Sequence, residues 1–175
     1  RTRTNRGGYK AGAMNDAMGD IEQFDHCAVF DADFDPAPDF LRRTVPYLTH
    51  NPKVGFVQAR WVYSNGTDSL LTRVQEISLN YHIRCEQYAR HAAGLFFNFN
   101  GTAGVWRRKC IVDSGGWNCR TTVEDMDLSL RAHLAGWKAV FLDGVICENE
   151  LPSSYFAYRK QQHRWCCGPM QLWVR

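Results

Sequence analysis

Short apolar runs alternate along this chain with stretches of helical periodicity, and that alternation constrains the fold more than any other feature. "HCAVF", "VGFVQARW" and "WKAVFL" have the length and apolar content of buried strands. From Leu70 the apolar residues Leu70, Val74, Ile77, Tyr81, Cys85 and Tyr88 recur at three- and four-residue steps, which predicts one apolar face of a long helix. "YKAGAMNDAM" predicts a short helix beginning near Lys10 after a Gly-rich turn, and "DFLRRTVPYLTH" a helix bent or ended near Pro46. "LFFNFNGTAG" reads as a short strand and a Gly-containing turn, with a helix from about Trp106. "VEDMDLSLRAHLAG" predicts a helix with an acidic first turn and a stop at Gly136; "SSYFAYRKQQHRW" reads as an amphipathic helix. Strands alternating with helices imply an α/β sandwich with a largely parallel sheet.

The 175 residues are enough for one domain with a sizeable core, and 45% hydrophobic with 22% charged residues is globular. No repeat, low-complexity run or linker divides the chain. A net charge of +3, with "RTRTNR" at residues 1–6 as the densest basic run, gives no footprint for nucleic acid. The seven cysteines show no C-x-x-C spacing, so reduced, mostly buried thiols are expected. No stretch reaches the ~18–20 apolar residues of a membrane span. The chain opens on Arg1 and stops at "MQLWVR" inside an apolar pattern, so it is expected to be part of something longer.

Three groups of residues could carry chemistry. The apolar run of "CAVFDADFDP" delivers Asp31, Asp33 and Asp35 to what should be a strand end, where ligands bind in such sheets. In extended backbone Asp31 and Asp33 would face the same way and suit a hard divalent cation; a capped or solvated loop is the alternative. A calcium loop starting at Asp31 fails, because Pro36 and Arg42 stand where Gly and Glu are required. An aspartyl-phosphate enzyme or a glycoside hydrolase stays open at this point. "TTVEDMD" places Glu124, Asp125 and Asp127 at a helix start, where they could serve the helix dipole, capped by Thr121 or Thr122, or accept a substrate proton. "QQHRW" offers Arg164 to a phosphate and Trp165 to a sugar face, or simply covers the core; His163 has no partner spaced for a metal.

D-x-D, then E-D, then Q-x-x-R-W, in this order, resembles the processive family 2 glycosyltransferases, the group of the cellulose synthases. "YKAGAMN", "NPKVGFVQARW", "FNGTAGVWR", "TTVEDMDLSLRAHLAGWK" and "YRKQQHRW" are similar to the cellulose synthase-like proteins of the A and C clades. The resemblance covers essentially the whole chain. It implies a GT-A-like, Rossmann-type sandwich with a mostly parallel or mixed central sheet, incomplete at its N-terminus, and residues 1–175 as one partial catalytic domain. The parent protein would be a multi-pass protein of the Golgi membrane.

The resemblance also implies roles. Asp31 and Asp33 would hold a nucleotide sugar's diphosphate through Mg²⁺ or Mn²⁺, with Lys10, Gln161 and Arg164 steadying the donor. Asp125 would be the general base. Glu124, Trp165 and the Phe99, Asn100, Gly101, Thr102 turn would meet the acceptor. Asp35 would turn the chain rather than bind metal. The reaction implied is inverting transfer of mannose from GDP-mannose to a β-1,4-linked (gluco)mannan; "ENELPSS" and "VQEISLNYH" lean that way. "GPMQLW" leans to a UDP-glucose-dependent xyloglucan-backbone synthase instead. A non-catalytic carbohydrate-binding module is the distant third, and the chain alone is expected to be poorly active.

Overall fold

The computed structural model describes residues 7–174, so the basic run at residues 1–6 lies outside the described residues. Five strands form one sheet in the order β1-β4-β3-β5-β2: β1 (His26–Val29), β2 (Asp35–Pro36), β3 (Val54–Tyr63), β4 (Gly104–Arg107) and β5 (Lys138–Asn149). Parallel pairing is confined to β3 and β5; β1–β4, β3–β4 and β2–β5 are antiparallel. The sheet is therefore mixed, with less parallel pairing than strand–helix alternation suggested. The difference arises at "GVWR", which forms β4 and pairs on both sides; the helix α5 (Arg108–Asp113) starts only after it. "LFFNFN" is irregular rather than a strand.

Strand β3 lies at the centre, and its first six residues are buried because both faces of the sheet are covered. Phe56, Phe99, Trp106, Trp117 and Leu128 pack on one face; Phe40, Leu48, Val57 and Val105 pack on the other. Helix α1 (Tyr9–Asp20) is tied to the sheet by Asn15, whose amide donates to Trp117 O at 2.5 Å while its oxygen accepts from Trp117 N at 3.1 Å. Helix α2 (Phe40–His50) runs through Pro46 instead of ending there.

Helix α3 (Leu70–Asn80) starts on a reciprocal cap between Ser69 and Thr72, then passes through a π-helical turn, Tyr81–Gln87, into α4 (Tyr88–Ala92). Its apolar stripe does not face the core. Leu70, Val74, Ile77, Tyr81 and Tyr88 are exposed, while Thr72, Gln75, Ile83 and Gln87 are buried. Helix α6 (Glu124–Leu134) stops at Gly136, which has φ +89° and lets Trp137 N reach Ala132 O at 3.0 Å. Neither Thr121 nor Thr122 caps its start; Val123 occupies that position. Helix α7 (Tyr155–Val174) closes the described chain. Among the described residues no helix is long and apolar enough to cross a membrane. Of the seven thiols only Cys110 and Cys147 are buried, and Cys85, Cys119 and Cys166 are exposed, against the expectation of mostly buried cysteines.

Candidate active site

Asp31 follows the end of β1, and its backbone N–H donates to Thr102 Oγ1 at 2.8 Å. Its carboxylate is ion-paired with Lys10, whose ammonium also donates to Gly101 O at 2.9 Å. The chain then turns at once: Phe34 N donates to Asp31 O at 3.1 Å. The extended backbone expected between Asp31 and Asp33 is thus replaced by a turn. Phe30, edge-on to Phe40, and Phe34, edge-on to Trp61, anchor its two ends. Asp33 is exposed at the rim and has no hydrogen bond among the described residues, whereas Asp35 enters the edge strand β2.

The turn Phe99–Thr102 crosses beneath this carboxylate. Phe99 N donates to Ser129 Oγ at 2.8 Å, and Ser129 Oγ donates to Asp125 O at 2.6 Å, so the turn is bonded to the first coil of α6. Gly101 has φ +84°, and a Cβ there would stand 2.8 Å from Asp125 Oδ2. A side chain at this position would be strained by the backbone conformation and would displace the Asp125 carboxylate.

Asp125 is half-buried at the start of α6, with Met126 N donating to its Oδ1 at 2.9 Å. Burial, and secondarily the Glu124 charge, push its carboxyl up to about 6; the Met126 N–H and the Lys10 ammonium oppose that rise. The neighbouring acid Asp127 is committed to Arg131 at 2.6 Å. Two acids that look equivalent in sequence therefore differ: Asp127 is a structural ion-pair partner, and Asp125 is a carboxylate with a pKa suited to proton transfer near neutrality.

A cavity of about 330 Å³ opens beside Asp125, walled by Trp61, His82, Asn100, Tyr158 and Trp165. Two polar atoms of its lining residues, Trp61 Nε1 and Gln75 Oε1, are buried without a partner. Gln161 and Arg164 precede Trp165 on α7 but do not line the cavity; Arg164 is exposed and makes no ion pair among the described residues.

Residues 2–168 match the family described as "Glycosyltransferase like family 2". The chain belongs to this glycosyltransferase family. It is 56% identical over 172 residues to probable glucomannan 4-beta-mannosyltransferase 1 of Arabidopsis thaliana, covering 97% of this chain and 31% of that protein. It is 54% identical over 175 residues to glucomannan 4-beta-mannosyltransferase 1 of Cyamopsis tetragonoloba, covering 99% of this chain and 33% of that protein. The chain thus spans only a third or less of the length of these curated relatives. In fold it is similar to the mannosyltransferase PcManGT from Pyrobaculum calidifontis in complex with GDP-Man and Mn²⁺, with TM-score 0.65, 21% identity, and coverage of 91% of this chain and 41% of that one. The GT-A-like architecture implied by the motifs is the architecture observed.

Within this family 2 glycosyltransferase fold, Lys10, Asp31, Gly101, Thr102 and Asp125 come together, while Asn100 and Trp165 share the adjoining cavity with Asp125. Sequence reasoning missed Gln58, Gln87, Ser129, Trp61 and Tyr158. One signal was available: Gln58 interrupts the otherwise apolar centre of "VGFVQARW", and a polar side chain there must find partners.

Proposed function

We propose that this chain is the catalytic core of an inverting, metal-dependent glycosyltransferase that adds mannose from GDP-mannose to a growing β-1,4-linked (gluco)mannan. The observation that carries the proposal is Asp125: an elevated carboxyl that faces the Lys10–Asp31 pair on one side and an aromatic cavity on the other. The names of its relatives at more than half identity support mannose as the sugar.

The residues fit a hard divalent cation, Mg²⁺ or Mn²⁺. Asp31 and Asp33 offer oxygen only, and Asp33 has no competing partner among the described residues. No group of three His, Cys, Asp or Glu side chains gathers among the described residues, so the remaining ligands would come from the diphosphate and water. When bound, such an ion supplies Lewis-acid stabilisation of charge on the departing nucleoside diphosphate.

The acceptor chain lies in the cavity, with sugar faces on Trp165 and hydroxyls in reach of Asn100. Its 4-hydroxyl attacks the anomeric carbon in line, and Asp125 removes the hydroxyl proton. The bond to the diphosphate breaks as the new C–O bond forms, so an α-linked donor gives a β-linked product. Lys10 and, once α7 meets the donor, Gln161 and Arg164 steady the leaving group. Glu124 keeps a second negative charge beside Asp125 and so favours the proton on it.

In this proposal the parent protein belongs to a Golgi membrane, an expectation that comes from the motif resemblance. The exposed apolar stripe from Leu70 to Tyr88 supports attachment to a membrane surface. Membranes carrying the longest protein with this sequence, supplied separately with labelled GDP-mannose and labelled UDP-glucose, test the donor. Incorporation from UDP-glucose alone would replace the mannan reading with the xyloglucan-backbone one.

A further inference from the structure

Residues 98–103 separate the two halves of the site. Their turn accepts the Asp31 N–H on Thr102, accepts Lys10 on Gly101 O, and abuts the Asp125 carboxylate. Yet its backbone is unusual, with φ +84° at Gly101 and φ +54° at Ala103. A non-glycine residue at positive φ costs energy and persists only where its surroundings hold it. Buried carbonyls need donors, and of those in the turn Ala103 O already accepts from Ala59 N at 2.9 Å.

Two buried amides supply the hold. Gln58, fully buried in β3, donates through Nε2 to Ala59 O at 2.9 Å, Thr102 O at 3.1 Å and Ala103 O at 3.2 Å. Its Oε1 accepts from Asn100 N at 2.8 Å. One side chain therefore satisfies backbone groups at both ends of the turn. Gln87, 1% exposed, meets the Asn100 side chain in a reciprocal amide pair: Gln87 Nε2 donates to Asn100 Oδ1 at 2.7 Å, and Asn100 Nδ2 donates to Gln87 Oε1 at 2.9 Å. Gln87 Nε2 also donates to Asn98 O at 3.2 Å.

Gln87 closes the π-helical turn Tyr81–Gln87. The wider winding of a π turn shifts which side chains face inward, and such turns gather at functional sites. Here it aims an amide at the turn while the apolar stripe of the same helix stays outside. Fully satisfied buried polar networks of this kind rigidify the chain into a single geometry.

We propose that Gln58 and Gln87 are positioning residues for the transfer reaction. They hold the 98–103 turn rigid between Asp31 and Asp125, and so fix the separation between the diphosphate site and the proton acceptor. This inference rests on the glycosyltransferase reading above. In-line displacement needs both ends of the reacting system fixed at once, and a misplacement of ~1 Å can cost on the order of 100-fold in rate. Neither glutamine needs to touch substrate to have that effect.

The test uses Gln87→Met and Gln58→Met in the longest protein that carries this sequence, held in membranes with Mn²⁺, GDP-mannose and a β-1,4-mannan oligomer. Turnover should fall on the order of 100-fold, while Mn²⁺-dependent binding of GDP stays within about threefold, because Lys10, Asp31 and Asp33 are intact. Amide exchange over 98–103 should speed up by about tenfold, as expected for the loss of one or two hydrogen bonds, with β5 unchanged. Gln58→Met strips partners from a central strand; if it does not fold, Gln87→Met at the edge of the turn carries the test. Unchanged turnover or unchanged exchange in a folded Gln87→Met protein would overturn the inference. So would a parallel loss of turnover, GDP binding and folded protein, which is the signature of a merely structural residue. If the unsubstituted protein transfers no mannose, the mannan reading falls, and the exchange measurement still decides whether the clamp exists.

Discussion

Gly101 and Asp125 are in such close approach that a single methyl group on the glycine would stand 2.8 Å from the carboxylate oxygen Oδ2. No side chain can be inserted there without moving the carboxylate. The backbone at Gly101, φ +84°, adds a conformational penalty of about 1 kcal/mol for any L-residue. Gly101→Ala should therefore cost little stability but much turnover, on the order of 100-fold. Paired measurements of the thermal transition and of sugar transfer would separate the two effects; transfer at the unsubstituted rate would contradict the contact.

The raised carboxyl of Asp125 sets a pH dependence of both rate and stability. As a base it must be ionised, so kcat should rise with pH and level off above about 6. For stability the sign is opposite. The folded protein holds this proton more tightly than the unfolded chain, so the stabilising effect is complete below the ordinary Asp pKa of about 3.9 and is lost as pH rises through about 6. Asp125→Asn should then be the more stable protein at pH 7, by roughly 1–3 kcal/mol, with the difference shrinking to nothing below about pH 4. Denaturant titrations of both proteins at pH 4 and pH 7 would reveal it.

Asp31 and Asp33 are expected to fail differently. Asp31 is bonded into the turn through its N–H and to Lys10 through its carboxylate, whereas Asp33 is exposed and unpartnered among the described residues. Asp33→Ala should leave the unfolding free energy within about 0.5 kcal/mol of that of the unsubstituted protein. Asp31→Ala should lower it further, because Lys10 loses its partner. Both substitutions together should abolish Mn²⁺-dependent binding of GDP by calorimetry, and retained metal-dependent binding would remove the pair from the cation site.

The contrast between Asp31 and Gln58 shows what was legible in the sequence. Asp31, Asp125 and Trp165 lie in three short motifs, and it was the resemblance carried by their order along the chain, not any one motif, that singled them out. Gln58 and Gln87 carry no motif; their partners are backbone atoms brought near only by the fold. The helix ends were legible where local physics decides them, as at Gly136. The sheet was less so, since "GVWR" pairs as β4 through contacts with β1 and β3 that are remote in sequence. The stripe from Leu70 to Tyr88 is apolar and helical, as its periodicity predicts, but periodicity does not say whether an apolar face meets the core or remains exposed.

The most direct test of the catalytic assignment is turnover against donor binding in Asp125→Asn, measured with labelled GDP-mannose in the longest protein that carries this sequence. Mannose incorporation should fall by roughly 100- to 10,000-fold, while GDP binding in the presence of Mn²⁺ is retained. Incorporation at the unsubstituted rate would contradict the role of Asp125 as the base, and with it the mechanism built on its position between Gly101 and the cavity.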